Sequence, residues 1–137
     1  MKNRTFTILK PDAVGERHTG EILRIIEQAG FRILALKMLY LSRSDAEKFY
    51  RIHQGRPFFR NLCLFMTSGP IVAAVLEKEN AVADFRKLIG ATDPAKASPG
   101  TIRKQFAGSK TRNAIHASDS EENASRETTF FFSDREI

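Results

Sequence analysis

The residues best suited to chemistry lie late in the chain, in Asn113-Ala-Ile-His116-Ala-Ser-Asp-Ser120. Histidine titrates near neutrality, so at physiological pH an imidazole nitrogen is available to attack, and histidine can carry a covalent intermediate. Ser118 and Asp119 could orient the ring or cap a following helix, and the two uses are compatible. A lone histidine among small residues is more often a polar surface residue, so partners decide its meaning. Lys10 precedes Pro11-Asp12 at the end of a strand pattern, Arg86 sits beside Phe85 on a helical pattern, and Arg103 closes Pro99-Gly-Thr-Ile-Arg103. Taken singly, each reads as a solvated charge. Converging on a histidine, several fixed cations suit phosphoryl transfer, where charge spreads over three equatorial oxygens and positioning does most of the work.

Two other segments invite a phosphate or nucleobase reading. Gly15-Glu-Arg-His-Thr-Gly20 follows a strand pattern and opens a helical one, but Glu21 and Ile22 stand where a phosphate-binding loop needs Lys and Ser or Thr. A carboxylate there repels phosphate, so an ordinary turn is the better reading. Phe58-Phe59, after Arg56-Pro57, reads first as core; one ring on a connector could instead stack on a base, since every base has a π-face.

The elements that must position these residues follow from periodicity. Arg4–Leu9 alternates and stops before Pro11, as a strand does. Ile22, Ile25, Ile26 and Ala29 give one apolar helical face over Thr19–Gly30, with Thr19 as cap. Phe31–Leu41 reads as a buried strand. Ser44 and Glu47 fit a capping box for the helix carrying Ala46, Phe49 and Tyr50. Leu62–Thr67 and Ile71–Glu77 read as strands joined across Ser68-Gly-Pro70, Asn80 caps a helix that ends at Gly90, and Thr128–Phe132 reads as a last strand. With the Ser44 helix as an insertion and one middle pair taken as a single hairpin element, the order approaches the β-α-β-β-α-β plan. Residues 91–126 hold few large apolar side chains, with short helical possibilities at Thr101–Phe106 and Asp119–Ser125. A connection of that length points to function.

Composition bounds the setting. A chain of 137 residues predicts one domain over 1–137, and 42% hydrophobic with 28% charged residues is globular. Lys and Arg total 22 against 16 Asp and Glu, so the net charge of +6 favours an anionic partner: nucleic acid, membrane surface or small phosphates. No apolar run approaches the ~20 residues of a membrane span. Cys63 is the only cysteine, which excludes an internal disulfide and a cysteine zinc site, and the three histidines lack ligand spacing, so no protein metal site is expected. A cytoplasmic location is expected.

Six segments in order, Ile8-Leu-Lys10-Pro-Asp12, Arg56-Pro-Phe58-Phe59, Ser68-Gly-Pro70, Gly90-Ala-Thr92-Asp-Pro94, Pro99-Gly-Thr-Ile-Arg103 and Asn113-Ala-Ile-His116-Ala-Ser-Asp-Ser120, resemble nucleoside diphosphate kinases nearly end to end. The resemblance implies a ferredoxin-like α/β (α+β) sandwich whose antiparallel four-stranded sheet is covered by helices. It implies ping-pong transfer of a γ-phosphoryl group from a nucleoside triphosphate, typically ATP, to a nucleoside diphosphate, with low base selectivity. By the family pattern His116 becomes the phosphohistidine. Lys10, Arg86, Thr92, Arg103 and Asn113 hold phosphates and ribose, and Phe58 stacks on the base. Tyr50 packs near Lys10 and His116, while Ser118 and Glu127 support the ring. Mg²⁺ is expected to arrive on the nucleotide phosphates, and the family implies a homo-oligomer, tetramer or hexamer. One departure is Ala117, where the pattern has Gly; a left-handed turn there would strain alanine. The net charge, eleven phenylalanines and a ferredoxin-like plan also fit an RNA-binding module, but a strand run of Gly and aromatics is missing, so nucleic acid is disfavoured as partner.

Overall fold

The computed structural model describes residues 3–137. Its sheet runs β2-β3-β1-β4, all pairs antiparallel, from β1 (Arg4–Leu9), β2 (Arg32–Leu39), β3 (Ile71–Glu77) and β4 (Ile115–Ala117). The helices are α1 (Pro11–Gly15), α2 (Thr19–Gln28), α3 (Arg43–Phe49), α4 (Phe59–Met66), α5 (Ala81–Ile89), α6 (Ile102–Phe106) and α7 (Glu121–Phe131). This is the ferredoxin-like sandwich.

Alternation along the two central strands builds two cores. Leu9, Val72, Ala74 and Leu76 face one side and pack on Ile22 and Ile26 of α2 and Phe85 and Ile89 of α5. Phe6, Ile8, Ile71, Ala73 and Val75 face the other and pack on Ala46 and Phe49 of α3, Cys63 and Met66 of α4, and Phe132. With both faces covered, even Thr5 and Thr7 are fully buried, and β3 reads as an apolar run rather than an alternating one.

Several elements differ from the sequence reading. Leu62–Thr67 is not a strand but most of α4; its buried residues, Cys63 and Met66, are three apart. A short apolar run does not distinguish the two forms, and Ser68-Gly-Pro70 therefore joins a helix to a strand. Thr128–Phe132 is not a strand either: α7 continues to Phe131, burying Ala124, Glu127 and Thr128 at helical spacing. The fourth strand is Ile115–Ala117, too short to show a period. Strand β2 is an edge rather than a buried strand, with Leu36, Met38 and the following Tyr40 exposed. Ser42, not Ser44, caps α3, accepting from the Asp45 amide at 3.0 Å. His18 precedes α2 with Thr19 already helical, and Asn80, at φ 56, caps α5 with no side-chain bond. Within the Gly15–Gly20 segment, residues 16–18 form the turn between α1, which Gly15 ends, and α2, which holds Thr19 and Gly20.

Candidate active site

Strand β4 aims the histidine. Ile115 and Ala117 point into the α2/α5 core, so the pleat turns His116 to the opposite face. There its ring lies 6.3 Å from Phe6, 5.6 Å from Phe49 and 6.4 Å from Tyr50, centroid to centroid. The main chain is tied down as well, since Thr7 Oγ1 donates to the His116 carbonyl at 2.8 Å. Ala117 is extended within the strand and its methyl packs in the core. The left-handed residue is Ala114, at φ 73, three positions earlier.

Helix α7 closes over this face. Ser120 caps it by accepting from the Asn123 amide at 3.1 Å, and Glu127 reaches the imidazole from within the helix. His116 Nε2 lies 2.8 Å from Glu127 Oε1, the same oxygen that accepts from Ser118 Oγ at 2.7 Å. Arg126 Nη2 approaches the other carboxylate oxygen at 3.4 Å. A carboxylate only accepts, so Nε2 carries the proton and Nδ1 keeps the lone pair. Ser118 and Glu127 are buried, whereas the His116 side chain is 20% exposed: the support is fixed and the ring is reachable.

Buried cations are assembled on the turn before β4. Lys10 Nζ donates to Asn113 Oδ1 at 2.8 Å, and Asn113 Nδ2 donates to the Lys110 carbonyl at 2.9 Å. Arg103 spans two carbonyls, Ile115 at 2.8 Å and Gly90 at 3.1 Å, and its buried Nε has no hydrogen-bond partner among the described residues. Burial lowers Lys10 to a pKa of about 8, with the like charge of Arg103 adding to the effect and Asp12 opposing it. Burial, then Arg86, brings Arg103 down to about 10. Two desolvated cations held close together are a site that an anion relieves. Tyr50 Oη is likewise buried without a partner among the described residues. Burial, then Glu127 and Cys63, pushes its pKa up, so it remains a phenol able to donate.

A cavity of about 170 Å³ is lined by His116, Tyr50, Arg86, Glu127, His53 and Asp119, among others. Lys10, Arg103 and Asn113 are linked through the 113–115 turn. Arg86 is exposed on α5, and Thr92 stands exposed two residues beyond Gly90, outside that lining. Phe59 packs on the core as the sequence suggests, but Phe58 is 47% exposed. An aromatic row leads to it: Tyr50 to His53 at 6.3 Å, then His53 to Phe58 at 5.2 Å. His53 and Arg126 belong to the cavity without having been assigned to it from sequence; Asp119, offered by the sequence as a ring-orienting or capping residue, lines the cavity, but Glu127 contacts the ring and Ser120 caps α7. Burial, Arg56 and His116 lower the pKa of His53 against an opposing Asp119.

A model of the nucleoside diphosphate kinase family matches residues 3–137. The chain belongs to the nucleoside diphosphate kinase family. It is 56% identical to the nucleoside diphosphate kinase of Flavobacterium psychrophilum over 98% of this chain and 96% of that one, and 57% identical to that of Chlorobaculum tepidum with the same coverage. The crystal structure of the Aquifex aeolicus nucleoside diphosphate kinase superposes with a TM-score of 0.96 at 49% identity, covering 98% of both chains. A Halobacterium salinarum nucleoside diphosphate kinase, solved in complex with CDP, gives 0.94 at 38% identity, covering 99% of this chain and 91% of that one. The chain is an enzyme of this family and transfers a γ-phosphoryl group between nucleotides. Among the described residues no helix is long and apolar enough to cross a membrane.

Proposed function

We propose that His116 carries the phosphoryl group, in a ping-pong reaction that uses one nucleotide pocket twice. Nδ1 attacks the γ-phosphorus of a nucleoside triphosphate, typically ATP. A P–N bond forms, the bond to the β–γ bridging oxygen breaks, and the diphosphate leaves. A second nucleoside diphosphate then attacks the same phosphorus with a β-phosphate oxygen, and the P–N bond breaks. The observation that carries this reading is the 2.8 Å contact of Nε2 with Glu127, which Ser118 holds in place, because it fixes the tautomer that leaves Nδ1 nucleophilic. Glu127 also steadies the positive charge the ring acquires on attack.

Lys10, Arg103 and Asn113 are preorganised around the 113–115 turn, so they meet charge on the transferring oxygens without reorganising. Arg86, from α5, and Thr92, from the following connection, are the remaining phosphate contacts in this reading, with Tyr50 donating from the cavity wall. Phe58 stacks on the base at the end of the aromatic row, and a ring face reads little base identity, so selectivity is low. The relative solved with CDP is consistent with a diphosphate pocket of this kind.

Mg²⁺ fits this site as a passenger of the nucleotide. Among the described residues no group of three or more His, Cys, Asp or Glu could hold it, and the two buried carboxylates near the site are engaged, Glu127 by His116 and Ser118 and Asp12 by the Ala114 amide. Asp119, which Asn123 holds below the usual carboxylate range, is the carboxylate of the cavity left to meet such a cation. Carried in on the nucleotide, Mg²⁺ would offset the charge of its phosphates. We read residues 1–137 as one kinase domain acting in the cytoplasm, which the family match over 3–137 and a single buried thiol support. The exposed edge of β2, with Leu36 and Met38, supports assembly with further copies as a tetramer or hexamer.

Replacing the nucleophile tests the assignment. His116→Ala is expected to keep nucleotide binding and lose turnover by at least about 10³-fold. Full turnover by that variant would refute it.

A further inference from the structure

Asp12 is a buried acid that none of the steps above uses. It occupies the first turn of α1, yet its carboxylate does not cap that helix. Oδ2 instead accepts from the backbone N–H of Ala114 at 3.0 Å, across 102 residues of sequence. The other polar group of Ala114 is taken too, because its carbonyl accepts from the Lys10 amide at 2.8 Å. Ala114 is fully buried and left-handed at φ 73, a conformation that a residue with a Cβ holds only when its surroundings impose it. The start of α1 grips it from both sides.

We infer that Asp12 is a positioning residue, which fixes the left-handed turn at Ala114 and thereby sets Asn113, Arg103 and His116 relative to Lys10. The inference rests on the roles proposed above for those four residues. Each is coupled to this turn. Asn113 precedes Ala114 and accepts from Lys10 at 2.8 Å, Arg103 donates to the carbonyl of Ile115 at 2.8 Å, and His116 follows in β4. A slip of Ala114 therefore moves a nucleophile and two phosphate ligands together.

The carboxylate has a second effect on the same site. Lys10 faces the like charge of Arg103 from α6, the opposite charge of Asp12 from α1, and the neutral Asn113 before β4. Asp12 favours the ammonium form that phosphate requires, and its Oδ1, buried without a hydrogen-bond partner among the described residues, keeps that negative charge poorly screened.

Two substitutions separate the effects. Asp12→Asn keeps an oxygen acceptor for the Ala114 amide and removes the charge; Asp12→Ala removes both. Single-turnover transfer from γ-labelled ATP is followed as a function of pH on folded protein well below its melting temperature. Asp12→Ala is expected to phosphorylate His116 roughly 10- to 100-fold more slowly at all pH values, to the same final stoichiometry. Asp12→Asn should recover most of the rate at pH 7, while its alkaline loss of kcat/KM comes at lower pH by roughly one unit. A role in stability alone would lower Tm and leave both the rate and the pH profile of the folded protein unchanged, and that result overturns the inference. If Asp12→Ala does not fold, the transfer rate of Asp12→Ser, whose hydroxyl is one bond short of the Ala114 amide, decides the positioning role in its place. Unsubstituted protein that forms no phosphoenzyme would overturn the His116 reading and this inference together. Normal phosphorylation of the unsubstituted protein, matched by both variants, overturns this inference alone.

Discussion

Lys10 shows how much the site asks of one side chain. Its ammonium is buried beside Arg103 in place of bulk water, and its pKa falls to about 8. Holding the charged form there costs on the order of a few kcal/mol, which a phosphate bound as proposed would offset. The sign gives two expectations. In the free enzyme the ammonium is lost as pH rises through about 8, so kcat/KM should fall above that pH, while the corresponding limb of kcat lies higher because bound phosphate favours the charged form. The folded protein also binds fewer protons than the unfolded chain between about 8 and the ordinary lysine value of 10.5, so this group's burden on stability is full below pH 8 and is relieved above it. Steady-state rates across pH 6–10 check the first point; a kcat/KM limb no lower than that of kcat would contradict it. At this scale the sequence was informative, because Lys10, Arg103, Asn113 and His116 stand in recognisable local motifs. The partner of Ala114 was not readable: Asp12 was in plain sight beside Pro11, but nothing local says that its carboxylate crosses to residue 114.

At the scale of elements, the site depends on short pieces whose periodicity is weak. β4 has three residues, and it is a strand because β1 offers Thr7, Ile8 and Leu9 as partners, not because Ile115–Ala117 has a pattern of its own. Thr128–Phe132 has the stronger strand composition, two threonines and three phenylalanines in a row, yet its first four residues end α7 because Ala124, Glu127 and Thr128 share a buried helical face. That error matters for function, since a strand there would have taken Glu127 away from His116. Elements with a long period, β1, α2 and α5, were readable because core and pattern agree. The exit of α5 carries a prediction. Gly90 has φ 88, an added Cβ would fall 2.6 Å from Thr101 Oγ1, and its carbonyl holds Arg103. Gly90→Ala is expected to lower stability by roughly 1–3 kcal/mol and to raise the nucleotide KM. Urea unfolding and KM measured on the same preparation check this, and unchanged values in both would contradict it.

Over the whole molecule, the net charge of +6 resolves into a few buried cations and many solvated ones. Lys10 and Arg103 are buried among the polar groups of the site, whereas most other basic residues are exposed. The fold leaves β2 as an open edge with Leu36 and Met38 exposed, which the sequence alone presented as core because apolar content does not reveal which strand lies at the edge. Introducing charge at that edge, as Leu36→Lys with Met38→Lys, is expected to shift the protein to smaller species in sedimentation while His116 is still phosphorylated. An unchanged sedimentation coefficient would remove β2 from the assembly. The central claim is that phosphate passes through Nδ1 of His116. Its most direct test is to incubate the protein with γ-labelled ATP and Mg²⁺, isolate the protein and map the label. The expected result is an acid-labile, alkali-stable label on His116, at up to one per chain, which an added nucleoside diphosphate discharges as triphosphate. Turnover without any labelled protein, or with label on another residue, would contradict it.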